Sequence, residues 1–148
     1  MKLAKIMFAV IGLLLPTVGP ADDDDTAGAN QGSYSATSIK GVWAFSASGT
    51  IVPDTPAVAI GLAEFDGNGG CLFRDQINIG GIAQPSPTGF RDSISCSYAV
   101  NTDGTGTIAV RFATDPADIP LTFVIISRAE LHFIRPDLGV ARGTMKRQ

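Results

Sequence analysis

From Gly41 onward, apolar residues recur at every second position in short runs separated by Gly-, Asp- and Pro-rich breaks. Side chains of an extended backbone alternate between two faces, so a period of two marks half-buried β-strands and argues against helices, whose faces repeat every 3.6 residues. In 42–51, Trp43, Phe45, Ala47, Gly49 and Ile51 share one face, opposite Ala44, Ser46, Ser48 and Thr50. The stretch 57–65 is apolar on both faces apart from Glu64. In 71–79, Cys71, Phe73, Ile77 and Ile79 oppose Leu72, Arg74, Gln76 and Asn78. In 93–100, Ile94, Cys96, Tyr98 and Val100 oppose Ser93, Ser95, Ser97 and Ala99, and in 105–112, Ile108, Val110 and Phe112 oppose Thr107 and Arg111. Stretches 121–127, 130–135 and 140–147 complete about eight strands, with no helical segment among them.

The breaks have hairpin chemistry. Asp66-Gly67-Asn68-Gly69 and Asp103-Gly104-Thr105-Gly106 supply residues that tolerate positive φ. Neither carries the alternating carboxylates and distal Glu of a calcium loop, so no metal is expected there. Longer loops are expected over 80–89 and 115–120. Short connections pair sequential strands antiparallel, and an open eight-stranded meander would leave two edges exposed to aggregation. Closing the sheet removes both edges. The expected fold is therefore all-β, an eight-stranded antiparallel up-and-down β-barrel, with a two-sheet β-sandwich as the runner-up.

The first 21 residues read as a secretory signal peptide. Lys2 and Lys5 precede the apolar run from Ile6 to Leu15, and Pro16 and Gly19-Pro20-Ala21 follow it. That run is too short to span a bilayer, and no second run in the chain is longer, so the mature chain is expected to carry no membrane span. Residues 22–40 read as a disordered acidic and polar arm, in which Tyr34 and Ile39 are the only large apolar residues. The domain proper is 41–148, and the expected destination is the periplasm or the exterior. The formal net charge is −3, and four of the 14 acids are Asp22 to Asp25. A domain this close to neutral lacks the basic face that nucleic acid or anionic lipid requires.

Two cysteines in an exported chain invite a disulfide. Pairing strands 71–79 and 93–100 so that partner numbers sum to 167 places Cys71 opposite Cys96 and Ile79 opposite Thr88. A loop of about 24 residues closed in this way is worth roughly 3 kcal/mol in the loop-entropy treatment.

Chemistry is harder to find. No G-x-S-x-G, H-E-x-x-H, C-x-x-C or phosphate-loop motif occurs. His132 is the only histidine and lies in an alternating strand. No cofactor is indicated. Glu64 and Asp75 fall among apolar neighbours. With a two-residue turn in 66–69, they share the face of Phe73, where two lumenal carboxylates could act as acid and base. A one-residue change in that turn sends Glu64 outward. The two carboxylates could equally pair with Arg74, Arg111 or Arg142, or lie near a barrel mouth. Trp43, Phe45, Phe73, Tyr98 and Phe123 are candidates, with Glu64 and Asp75, to line a lumenal pocket.

Gly41-Val42-Trp43 at the start of the first strand, followed by a meander, resembles the G-x-W opening of the lipocalins and other calycins. That resemblance implies a secreted eight-stranded barrel carrying a small apolar molecule. It also implies that the Trp closes one end beneath a basic residue of the last strand, a part open here to Arg142, Lys146 or Arg147. The T-D-x-Y element and the helix before the last strand are missing. The F-D-G-x-G turn also resembles those of small exported bacterial proteins, which implies a fold and no activity.

Three functions follow as expectations: non-catalytic binding of a small hydrophobic ligand or a partner; a lumenal-carboxylate isomerase or cyclase; and a structural or interaction module of the cell envelope. For the last, outward-facing Val124 and Ile126 would supply an apolar strip. A lumenal void of about 300 Å³ or more marks a ligand site, and a filled lumen marks a structural unit.

Overall fold

The computed structural model describes residues 33–51, 54–84, 89–137 and 139–148. The expected signal peptide (1–21) and most of the expected arm lie outside these residues. The strands are β1 (Gly41–Ile51), β2 (Thr55–Phe65), β3 (Cys71–Ile79), β4 (Ile82–Ala83), β5 (Arg91–Val100), β6 (Thr105–Phe112), β7 (Ile119–Ser127), β8 (Glu130–Arg135) and β9 (Gly139–Arg147). Neighbours pair antiparallel in the order β2-β1-β9-β8-β7-β6-β5-β3, and β2 pairs with β3 to close the ring. The fold is thus a closed eight-stranded antiparallel barrel, and the sandwich is set aside. Within the expected 80–89 loop, β4 folds back on β3 through Asn78–Ala83 and Ile79–Ile82. Ile79 therefore takes Ile82 as its partner. Thr88, its expected partner, lies outside the described residues.

Closure bends the strands sharply, and three glycines accommodate it. Gly61, Gly106 and Gly143 lie directly across from Phe45, Phe123 and Phe133 on the neighbouring strand. In each case a Cβ would run into the facing phenyl ring or the adjoining backbone. The missing side chain lets the ring lie against the bare backbone, a device that relieves tight curvature. The aromatic rings then form a continuous column. Phe45 lies 5.5 Å from Phe73 and 6.4 Å from Phe133, and Phe65 lies 6.1 Å from Phe73 and 5.0 Å from Tyr98.

One end of the barrel is stoppered. A 3-10 turn, Ala36–Ile39, crosses it and buries Ile39 completely. Trp43, also fully buried, donates its indole N–H to the Ile39 carbonyl at 2.8 Å. The Arg147 guanidinium lies 4.8 Å from the Trp43 ring and donates to the carbonyls of Arg128, Lys40 and Ser38. Of the three basic residues considered for this part, Arg147 takes it; Arg142 and Lys146 point to solvent. Tyr34 packs over Gly104, and the Tyr98 hydroxyl donates to the Ala36 carbonyl at 3.0 Å while accepting from the Gly67 N–H at 2.9 Å. Residues 33–40, the end of the segment read as a disordered arm, are therefore docked. Tyr34 and Ile39, its two large apolar side chains, are the ones that anchor it.

Two local registers differ from expectation. The β2–β3 hairpin has a three-residue turn, with the Asp66 N–H bonded to the Gly70 carbonyl at 3.0 Å. Asp66 Oδ1 accepts from the Asn68 and Gly70 N–H groups, which stabilises the longer turn. Glu64 consequently sits opposite Leu72 on the outer face rather than in the lumen. In β5, a bulge between Ser93 and Ser95 shifts the alternation. Ile94, expected on the inner face with Cys96 and Tyr98, is 63% exposed, and Ser93 turns inward.

Candidate functional site

Among the described residues no segment crosses the other end of the barrel, and its inner walls are unequal. On β2 the inward positions between Thr55 and Phe65 are all Ala or Gly: Ala57, Ala59, Gly61 and Ala63. Ala47 on β1 and Ala141 on β9 extend this low wall. Beside it on the neighbouring β3 are Phe73 and Ile77, and across the lumen are Val110 and Phe112 on β6 and Ile119 and Leu121 on β7. Small residues opposite large ones leave a cavity of about 90 Å³ just inside the mouth, floored by Phe45, Phe73 and Phe133.

Asp75 and Arg91 line this cavity and are 5% and 8% exposed. They sit directly across the β3–β5 seam. Arg91 donates Nε–H to Asp75 Oδ1 at 2.8 Å and Nη2–H to Oδ2 at 2.9 Å. Its Nη1 donates to Thr114 Oγ1 at 3.0 Å and lies 3.8 Å from Asp115 Oδ2, and its guanidinium carbon lies 4.2 Å from the centre of the Phe112 ring. A bidentate fork of this kind occupies both carboxylate oxygens, so Asp75 is held as a structural anion rather than presented as a free base. At the rim, Arg135 lines the same cavity and pairs with Asp137.

Of the seven expected pocket residues, Phe45, Phe73 and Asp75 meet in this cavity. Trp43 and Tyr98 belong to the stoppered end, and Phe123 packs on Gly106 lower in the barrel. Glu64 is outside the wall, so the shared face read for Glu64 and Asp75 does not form. The expected partners of Asp75 are engaged elsewhere or turned outward: Arg74 binds Asp92, Arg111 binds Asp118, and Arg142 is on the outer surface. Arg91 lies two residues before the stretch 93–100 in which the sequence pattern marks this strand. Alternation carried back from Ser93, read on the outer face, puts Arg91 outside as well; the bulge at Ile94 reverses the faces and turns Arg91 inward.

Cys71 and Cys96 form a disulfide with Cα atoms 5.0 Å apart. A disulfide fits an oxidising environment. His132 is exposed on the outer wall, 3.1 Å from Glu130 Oε1. Among the described residues no cluster of His, Cys, Asp or Glu could hold a metal ion, and no helix is long and apolar enough to cross a membrane. A broader hollow of about 750 Å³ lies on the outer wall, bordered by exposed Ser46, Thr122, Val124, His132, Ile134 and Arg142. It is an open saddle without buried polar groups.

The fold is similar to that of a redesigned β-barrel, with a TM-score of 0.54 at 14% identity over 76% of this chain and 94% of that one. It is also similar to a second redesigned β-barrel, mFAP1, bound to DFHBI, at 0.50 and 15% over 76% and 97%. An S-type phycobiliprotein lyase from Guillardia theta aligns at 0.46 and 9% over 80% and 95%. At these identities the first two show likeness of fold alone. No protein-family model matches the chain, and no curated protein does.

Proposed function

We propose that this is an exported, non-catalytic barrel that binds a small apolar molecule end-on at the open mouth. The observation that carries the reading is the unequal wall. A run of Ala and Gly faces large aliphatic and aromatic side chains, which opens an apolar recess beside a fixed polar pair. The cavity of about 90 Å³ is well below the roughly 300 Å³ of sites that enclose a drug-sized ligand. The ligand therefore inserts one apolar end and leaves the remainder in the mouth. One of the redesigned barrels, similar in fold, is bound to DFHBI, which supports a barrel of this size accepting a small molecule. The carboxylate-pair enzyme is the weaker reading, because Glu64 is outside and Asp75 is clamped.

The test is a Nile red fluorescence titration of the native chain and of Ala59→Leu, which fills the recess from the low wall. Saturable binding that weakens about tenfold or more in the variant supports the proposal. Equal binding by both proteins, or none by the native chain, overturns it.

A second reading rests on the outside of β2. Val58, Ile60 and Leu62, with Leu72 beside them on β3, are 43–56% exposed and form an apolar row on the outer wall. Val124 and Ile126 also face outward, at 40% and 53%. Such rows suit an interaction module. Sedimentation as a monomer at high concentration, with no change on Ile60→Ser, would remove self-association from this reading.

A further inference from the structure

The β3–β5 seam differs from the rest of the barrel. β1 and β2 pair continuously from Gly41–Phe65 to Ile51–Thr55. β3 and β5 pair, among the described residues, at Arg74–Asp92 and Asp75–Arg91, with a separate bridge at Gly70–Ser97. Between these points the bulge at Ile94 carries the β5 backbone out of register, and the Phe73 N–H bonds to the Ser93 hydroxyl at 3.0 Å instead of to a carbonyl. Side chains supply what the ladder lacks. The Cys71–Cys96 disulfide spans the interrupted stretch, the exposed Arg74–Asp92 pair lies above it, and the buried Asp75–Arg91 clasp closes the mouth side. Immediately behind the gap is Phe73, 3% exposed and in the middle of the aromatic column.

A backbone ladder opens only when its strands separate, whereas a seam held by side chains opens when those ties are cut. We infer that the β3–β5 seam is a lateral window into the lumen and that the Cys71–Cys96 disulfide is its latch. In the oxidised protein the window is shut and only the mouth recess is reachable. A dithiol reductant opens it by thiol–disulfide exchange. The reductant's two thiols give up two protons and two electrons and become a disulfide, the Cys71–Cys96 S–S bond breaks, and its two sulfurs take up those protons and electrons as thiols. The strands can then part between the Gly70–Ser97 bridge and the Asp75–Arg91 clasp, exposing the Phe73 side of the core. The window regulates the site proposed above and to that extent rests on that reading, but its opening can be measured without any ligand.

The experiment is native-state hydrogen exchange on the full chain, oxidised and then reduced in place with dithiothreitol. The expected result is that the Phe73 and Tyr98 amides, which bond across the seam, lose about tenfold or more protection beyond the loss at Leu131 and Phe133 on β8. Loss by a common factor in all strands, or no loss at the seam, overturns the latch. Ser93→Ala keeps the disulfide and removes the acceptor of the Phe73 N–H. It should loosen Phe73 selectively even when oxidised, and unchanged protection there counts against the window. Nile red is then added to both states. Faster uptake by the reduced protein supports the window as a route to the ligand site. Seam opening without faster uptake keeps the conformational switch and refutes its role in ligand access.

Discussion

Arg91 grips Asp75 through two parallel hydrogen bonds of 2.8 and 2.9 Å, with each side chain only 7% exposed. Both ions lie in an apolar wall, so each compensates for water the other has lost. Removing one leaves a buried charge unpaired, whereas replacing both leaves none. Arg91→Ala or Asp75→Ala should therefore lower stability by about 3–5 kcal/mol, while the double variant Asp75→Leu/Arg91→Met should lie within about 1 kcal/mol of the native chain or above it. Urea denaturation of the four proteins checks this. Single variants that cost no more than the double one would show that the clasp is not structural.

The stoppered end makes a different prediction. Arg147 ties three carbonyls on two other chain segments to β9 and stacks near Trp43. That geometry needs a planar fork, which lysine lacks. Arg147→Ala should cost about 1–2 kcal/mol, and Arg147→Lys should recover less than half of it. Thermal unfolding of the pair decides whether shape or charge matters here.

The architecture was legible because alternation and turn chemistry agree along most of the chain, and the pairing of Cys71 with Cys96 followed from the presence of two cysteines on strands whose parity lets them face each other. The site was less legible, since each error was one residue in size. One extra residue in the 67–69 turn sent Glu64 outward. One bulged residue, Ile94, reversed the faces before Cys96. Neither leaves a mark in the hydrophobic pattern, because 57–65 is apolar on both faces and Ile94 looks like a core residue. Composition also misled at Tyr34 and Ile39. Two apolar side chains cannot fold a segment alone, yet they can dock one on a surface that already exists.

Stability should depend on pH at both extremes. Hydrogen bonds from the Asn68 and Gly70 N–H groups hold the Asp66 carboxyl below its ordinary value of 3.8; Thr105 does the same for Asp103, and the Arg74 guanidinium for Asp92. The fold therefore favours their ionised forms. Their contribution is complete above the ordinary value and is lost as the pH falls through the lowered ones. Burial pushes the Tyr98 hydroxyl above its ordinary value of 10.0, so the fold favours its protonated form. Its contribution is complete below pH 10.0 and is lost as the pH rises through the raised value. Urea midpoints against pH should be flat between these limits, and Tyr98→Phe should abolish most of the alkaline fall.

The glycine–phenylalanine pairs yield the sharpest test of why this sequence closes into a ring. At Gly143 a Cβ would strike the Phe133 ring and the Ser46 carbonyl, and at Gly106 the Phe123 ring and the Ala99 carbonyl. Gly143→Ala and Gly106→Ala should each destabilise by about 1–3 kcal/mol through overpacking, although alanine ordinarily suits a strand better than glycine. Since ring and backbone share the clash, Gly143→Ala in a Phe133→Leu background should cost less than in the native chain, and a double-mutant cycle should give a coupling of about 0.5 kcal/mol or more. Gly81 is the contrast: a Cβ there meets nothing within 4 Å, but its φ is +89°. Gly81→Ala should cost about 1–2 kcal/mol from the left-handed backbone alone, with no coupling to any ring. Coupling at Gly81, or its absence at Gly143, would detach the glycines from barrel curvature.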